Sequence, residues 1–239
     1  MTITDGRGKA IRLSAPPRRI VSLVPSTTES LFALGVGASV VGITRFCVHP
    51  AEELTGRVKV GGTKDLVWER LEALQPDLVI GNVEENSSAM FEAIEERYPL
   101  YAAFPRTVDE AIADLRTMGR LVGAAEAAAQ WADRIESARA ALRAQVRPGT
   151  RYAYLIWRNP WMVVNGDTFI SAMLAEAGCV NAFASAEARY PTIAPADLTD
   201  VDAVLLSSEP FPFKEKHVAE LAGLAGIDAG RISLSLIHI

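Results

Sequence analysis

The stretch TVDEAIADLRTMGRLVGAAEAAAQWADRIESARAALRAQV, residues 107–146, decides how the rest of this chain is read. It contains no proline, and Ala, Leu, Arg and Glu dominate it, residues that lose little on entering a helix. Thr107 followed by Glu110 fits a capping box, in which hydroxyl and carboxylate each satisfy a free backbone N–H. Gly119 and Gly123 weaken the middle and predict a break near 123–125. Beyond it Trp131, Ile135, Ala138, Leu142 and Val146 recur every three or four residues, an apolar stripe on one face. Pro148 and Gly149 end it. This second piece, of about 22 residues, would be about 33 Å long by the helical rise per residue, enough to cross a small domain.

Loop-rich, strand-like sequence flanks the helix on both sides. Before it, Thr2–Thr4 and Ala10–Leu13 surround Asp5-Gly6, the signal of a small hairpin. Ile20–Val24 is a continuous apolar run typical of a buried parallel strand. Ser26 or Thr27 is placed to cap a helix over Glu29–Leu34, closed by Gly35. Strands at Val40–Thr44, Val58–Gly62, Asp77–Gly81 and Leu100–Ala103 alternate with helices at Trp68–Leu74 and Ser87–Arg97. Such alternation predicts a mainly parallel sheet with helices on both faces.

After the helix the pattern restarts. Arg151–Trp157 reads as a strand, Thr168–Ala177 as a helix closed by Gly178, Lys214–Leu224 as a helix and Arg231–Leu234 as a strand. ERLEALQPDLVIGN (69–82) parallels ADLTDVDAVLLSSE (196–209): short helix, Asp, four apolar residues, polar loop. This is a weak internal duplication. The predicted architecture is α/β: two Rossmann-like α/β/α lobes with mainly parallel sheets, joined by one long rigid helix. The lobes are residues 1–104 and 148–239, and the connecting helix is 105–147. The second copy stops in Ser235–Ile239 where the first continues into helix. It is either a minimal lobe or one whose C-terminus is truncated or foreign, and truncation is the expectation.

With 239 residues, 49% of them hydrophobic, the chain can bury a large core. A net charge of −5 and the lack of a basic stripe argue against a nucleic-acid partner. No apolar run is long enough to span a membrane. The opening MTITDGRGKAIRLS has no apolar signal-peptide core, so the expectation is a cytosolic protein or a mature or trimmed chain. Cys47 and Cys179 pair only if the fold joins them; unpaired buried thiols are the plainer expectation. The phosphate loop, the dinucleotide glycine fingerprint, the nucleophile elbow and the paired metal motifs are all missing from the sequence. Cys47 and His49 could supply two metal ligands, but a closed site usually needs about four.

Ligands of open α/β sheets bind at the carboxyl ends of the strands, which here places them in the groove where two lobes face each other. The strand-exit loops are rich in aromatics: Phe46, Trp157, Trp161, Tyr190, Phe211 and Phe213, with Arg45, Lys64, Arg158 and Arg189 beside them. Aromatic faces with a few polar groups suit a large, flat, partly apolar ligand. Several of these rings are equally suited to lobe core.

RRIVSLVPSTTESLFALG (18–35), VVGIT (40–44), WERLEALQPDLVIGN (68–82), TVDEAIADLRTMGRLVG (107–123) and NGDTFISAMLAEAGCVNAF (165–183) resemble the cobalamin and ferric-siderophore substrate-binding proteins of ABC importers. The resemblance implies a non-enzymatic receptor, acting as a monomer without a cofactor, periplasmic or tethered outside the membrane. It implies capture of a corrinoid or iron chelate and delivery to an importer permease. By position it implies ligand contacts at Phe46, His49, Thr63, Trp157, Tyr190 and the Glu209–Phe211 loop, and Trp161 joins them from the loop reading. It also implies two carboxylates that dock onto permease arginines, Glu69 and Asp197, the latter where a glutamate is usual. The cobalamin binders carry an aromatic at the position of His49 and a tryptophan near Thr63, so the ligand stays open. A stiff connecting helix implies modest closure. Two other readings remain at this stage. One is a metal- or cofactor-handling enzyme using Cys47, His49, Glu84 and Glu85; the other is a cytosolic sensor.

Overall fold

Ile20, Val21 and Ser22 are all fully buried, and they form the central strand of the first sheet in the computed structural model, which describes residues 1–145 and 149–235. Val146 and Pro148 of the helical stretch, and the tail from Leu236, fall outside the described residues. The chain divides into two compact units. The first comprises Met1–Pro105 and Asp109–Ile135; the second comprises Arg106–Val108 and the chain from Glu136 onward.

The first unit opens with the antiparallel hairpin β1 (Thr2–Thr4) and β2 (Ala10–Arg12). Asp5 holds its turn, accepting the backbone N–H groups of Arg7 and Lys9 at 2.9 and 3.0 Å. There follow β3 (Ile20–Ser22), α1 (Pro25–Ala33), β4 (Val40–Ile43), β5 (Val58–Lys59), α2 (Trp68–Leu74), β6 (Leu78–Asn82), α3 (Ser88–Glu95) and β7 (Leu100–Ala103). The sheet order is β5-β4-β3-β6-β7, every pairing parallel. Alternate residues of each strand face opposite sides. Ile20, Ile43, Ile80 and Tyr101 pack with Leu31 of α1, with Leu34 just after it, and with Met118 and Leu121. Val21, Val79 and Ala102 pack with Leu71, Phe91 and Ile94 of α2 and α3. Each such aliphatic side chain contributes about 1.5–3 kcal/mol by leaving water.

α1 starts earlier than expected. Its first residue is Pro25, whose ring presets a helical φ and whose missing N–H costs nothing there. Ser26 and Thr27 therefore lie inside the helix, and no side chain caps it. α2 ends at Gln75, held at φ 44° before Pro76, and Ser87 caps α3 by accepting the Met90 N–H.

The 107–146 stretch is two helices, α4 (Val108–Leu121) and α5 (Ala125–Arg143), with Gly123 between them at φ 79°. Gly119 has a different role from the one its helix propensity suggests. A Cβ added there would lie 2.2 Å from the Ala128 Cβ, so the missing side chain lets α4 and α5 approach. The boundary between the units falls within α5, between Ile135 and Glu136.

The second unit holds β8 (Arg151–Trp157), β9 (Met162–Val163), α6 (Phe169–Glu176), β10 (Val180–Asn181), β11 (Ala203–Ser207), α7 (Glu215–Ala225) and β12 (Ile232–Ser235). The order is β10-β8-β11-β12, all parallel, and β9 pairs antiparallel with the end of β8. Arg139 and Arg143 both grip Glu176 on α6. The expected short helix before β11 is only a 3-10 turn, Pro195–Leu198. β10-β8-β11-β12 repeats β4-β3-β6-β7 in order and direction, with no counterpart of β5 among the described residues. The duplication suspected from sequence is thus present in topology.

Candidate functional site

In the first unit, the chain leaves β4 through Thr44 into the Arg45–Pro50 loop. Its anchor is Cys47, which is buried, with Sγ 3.1 Å from the Thr28 hydroxyl and 3.2 Å from that of Thr44. Lys59 adds a bond from Nζ to the Cys47 carbonyl at 3.0 Å. The thiol thus belongs to a buried hydroxyl cluster that also includes Ser22, and it is unpaired; Cys179 is likewise free. The residues on either side of Cys47 point outward. Phe46 is 49% exposed, with the Arg45 guanidinium carbon 4.8 Å from its ring centroid. Arg45 is fixed by paired bonds of 2.7 and 3.0 Å to Asp65, and it holds that carboxyl below the usual carboxylate range. Gly62 makes room for this pair: a Cβ there would meet Asp65 Oδ1 at 2.3 Å. His49 is exposed and precedes a cis proline.

Thr63, on the loop after β5, is half-buried, and its carbonyl accepts from Asn86 Nδ2 at 2.7 Å. Asn86 Oδ1 accepts the Asn82 N–H at 2.9 Å, so this buried amide ties the loops after β5 and β6 together. Nothing beyond the polar character of the Asn82–Asn86 loop marked it in sequence.

In the second unit the aromatics sort into two sets. Trp157, at the end of β8, is 40% exposed and meets Phe211 edge-on at 5.8 Å. The Phe211 backbone N–H bonds the Ile156 carbonyl at 3.3 Å, pinning the loop after β11 to β8. Trp161, expected among the ligand contacts, is instead core. It is 8% exposed, and its ring stacks on Phe213 at 6.1 Å, with Arg158 at 5.8 Å. Tyr190 is 40% exposed and Glu209 is exposed before a cis proline. His217, not among the expected contacts, lies buried beside Phe211 and Phe213.

The two carboxylates expected to dock are both exposed. Glu69 sits in the first turn of α2. Asp197 also has local work, since its Oδ2 accepts the Ala194 N–H at 2.9 Å at the head of the 3-10 turn. A groove of about 470 Å³ along α4 and α5, lined by Ala113, Arg116, Thr117, Arg120, Ala125 and Ala129, includes none of the strand-exit residues. Among the described residues no three His, Cys, Asp or Glu side chains converge as a metal cluster, and no helix is long and apolar enough to cross a membrane.

The described residues thus form two α/β units whose strand-exit loops carry aromatic and polar side chains. The sequence model of the periplasmic binding protein family matches residues 20–231, and the chain belongs to that family. It is a substrate-binding protein, and the enzyme reading with Cys47, His49, Glu84 and Glu85 is set aside. A vitamin B12-binding protein of Vibrio campbellii is 24% identical over 216 residues, 88% of this chain and 75% of its own length. An uncharacterized ABC transporter substrate-binding lipoprotein of Bacillus subtilis is 36% identical over 96 residues, 40% of this chain and 30% of its own. The periplasmic heme-binding protein of Roseiflexus sp. RS-1, solved in its apo form, aligns with a TM-score of 0.77 and 25% identity. That alignment covers 92% of this chain and 89% of the other.

Proposed function

We propose that this chain captures a metal chelate, a corrinoid, haem or ferric siderophore, and delivers it to an ABC importer outside the cytoplasmic membrane. The observation that carries the reading is the half-exposed Trp157–Phe211 pair at the carboxyl edge of β8 and β11. A partly exposed aromatic pair at a strand-exit edge suits a flat macrocycle or an apolar chelate. Relatives that bind vitamin B12 and haem support the ligand class. The proposed contacts are Phe46, His49 and Thr63 from the first unit and Trp157, Tyr190, Glu209 and Phe211 from the second. Glu69 and Asp197 are the proposed permease contacts, and the receptor is proposed to work as a monomer. Titration of the purified chain with cyanocobalamin, haemin and a ferric hydroxamate tests the ligand. Binding of at least one, with a visible-band shift, is expected. No binding by any of them below about 100 μM, roughly −5.5 kcal/mol, would falsify the proposal.

A further inference from the structure

His217 occupies the third position of α7, where a capping box normally carries Glu or Gln. Here the imidazole takes that role. Its Nδ1 accepts the Lys214 N–H at 2.9 Å, and the His217 N–H donates to the Lys214 carbonyl at 2.8 Å. A ring nitrogen that accepts carries no proton, so the ring is neutral with its hydrogen on Nε2. The residue is only 5% exposed. Phe211 and Phe213 meet its ring edge-on at 5.3 and 5.6 Å. Phe211 in turn supports Trp157. One unbroken chain of contacts therefore runs from the head of α7 to the exposed aromatic edge.

We propose that His217 is the positioning residue for the Trp157–Phe211 pair, and that its neutral ring is required to hold the pair in place. The inference rests on reading these two aromatics as ligand contacts. Protonation at Nδ1 turns the acceptor into a donor facing the Lys214 N–H. The α7 cap is then lost, and a cation is buried against two phenylalanines. The charged groups facing the ring offer it no rescue. Lys214 just before α7, Lys216 within it and Arg158 from the loop after β8 are positive, while Glu220 is already paired with Arg158. Burial first, and then these cations, hold His217 below the usual histidine range. Its contribution is complete above the usual range and is lost as pH falls through the lower, folded-state pKa.

The test follows near-UV circular dichroism and tryptophan fluorescence of the ligand-free full chain from about pH 7.5 down to about pH 4, from the usual histidine range to well below it. Wild type should show a one-proton transition that is reduced in Trp157→Phe, the remainder coming from Trp161 through Phe213. His217→Gln supplies an acceptor that does not titrate, and should show no transition. His217→Ala should show the acid-form spectrum throughout. In parallel, wild-type affinity for cyanocobalamin or haemin should weaken by up to about tenfold per pH unit, the limit for one linked proton. His217→Gln should show a shallower affinity profile, keeping only whatever pH dependence the proposed contacts His49 and Glu209 bring. A transition that persists in His217→Gln, or a wild type with none, overturns the inference. The expected aromatic pattern with neither probe bound supports the cap and overturns the chelate reading instead.

Discussion

Asp114 sits partly buried in α4, where it accepts the Tyr101 hydroxyl at 2.6 Å. Burial raises its pKa, Asp5 pushes the same way, and the Tyr101 bond opposes both without cancelling them. The folded chain thus holds this proton more tightly than the unfolded chain. The resulting stability is complete below the ordinary carboxylate range and is lost as pH rises through the folded-state pKa. Asp114→Asn keeps an oxygen for Tyr101 but removes the charge. It should raise Tm at about pH 7 and change it little near pH 4, where the free carboxylate is itself about half protonated. Thermal melts at the two pH values check this, and a lower Tm for the variant at neutral pH would contradict it. At the same scale, side chains of one type part company. Trp157 and Trp161 are four positions apart, yet one is exposed and the other is core. Only contacts distant in sequence, with Phe211 for one and Phe213 for the other, decide between them.

Gly119 separates two effects that act on a helix. By propensity alone, Gly119→Ala should stabilise α4 by up to about 1 kcal/mol. By packing, the new methyl would lie 2.2 Å from the fully buried Ala128 Cβ, and overpacking of that kind costs about 1–3 kcal/mol. Packing should win, so Gly119→Ala is expected to lower stability in chemical denaturation, whereas Gly119→Ala combined with Ala128→Gly should recover much of the loss. A stabilised single variant would show that α4 and α5 are not in close contact. Elements were legible in sequence where a periodic run was long enough to declare itself: α2 and β7 fall on their expected residues. β9 and β10 have two residues each, too few to carry a period, whereas the equally short β5 falls inside the longer expected run Val58–Gly62. α1 starts at Pro25 and not after a Ser26 or Thr27 cap, because a hydroxyl residue that can cap a helix looks the same in sequence as one inside its first turn. The strand-exit loops were found from topology alone. The capping role of His217 was not, because Lys214 gives no hint of a helix start that needs an acceptor three residues on.

For the whole molecule, the strand order repeats between the two sheets, with Glu69 before β6 in one and Asp197 before β11 in the other. Matched carboxylates on duplicated units are a way to fix the orientation of a receptor on a permease. In water each exposed ion pair contributes about 0–1 kcal/mol, but pairs desolvated at an interface count for more and set the docking register. Charge reversal of both to arginine would test this crudely, since Asp197 also accepts the Ala194 N–H and its loss would cost about 1 kcal/mol as a cap. Asp197→Asn keeps an acceptor there while removing the charge, and Glu69→Gln does the same on α2. Each neutral variant should slow ligand uptake through a reconstituted importer, and the pair together should reduce it more than either alone. Ligand affinity in solution should stay unchanged, because neither carboxylate lies on a strand-exit loop. Uptake at the wild-type rate in the double variant would remove both residues from the docking surface, while weakened ligand affinity would place them in the binding site instead.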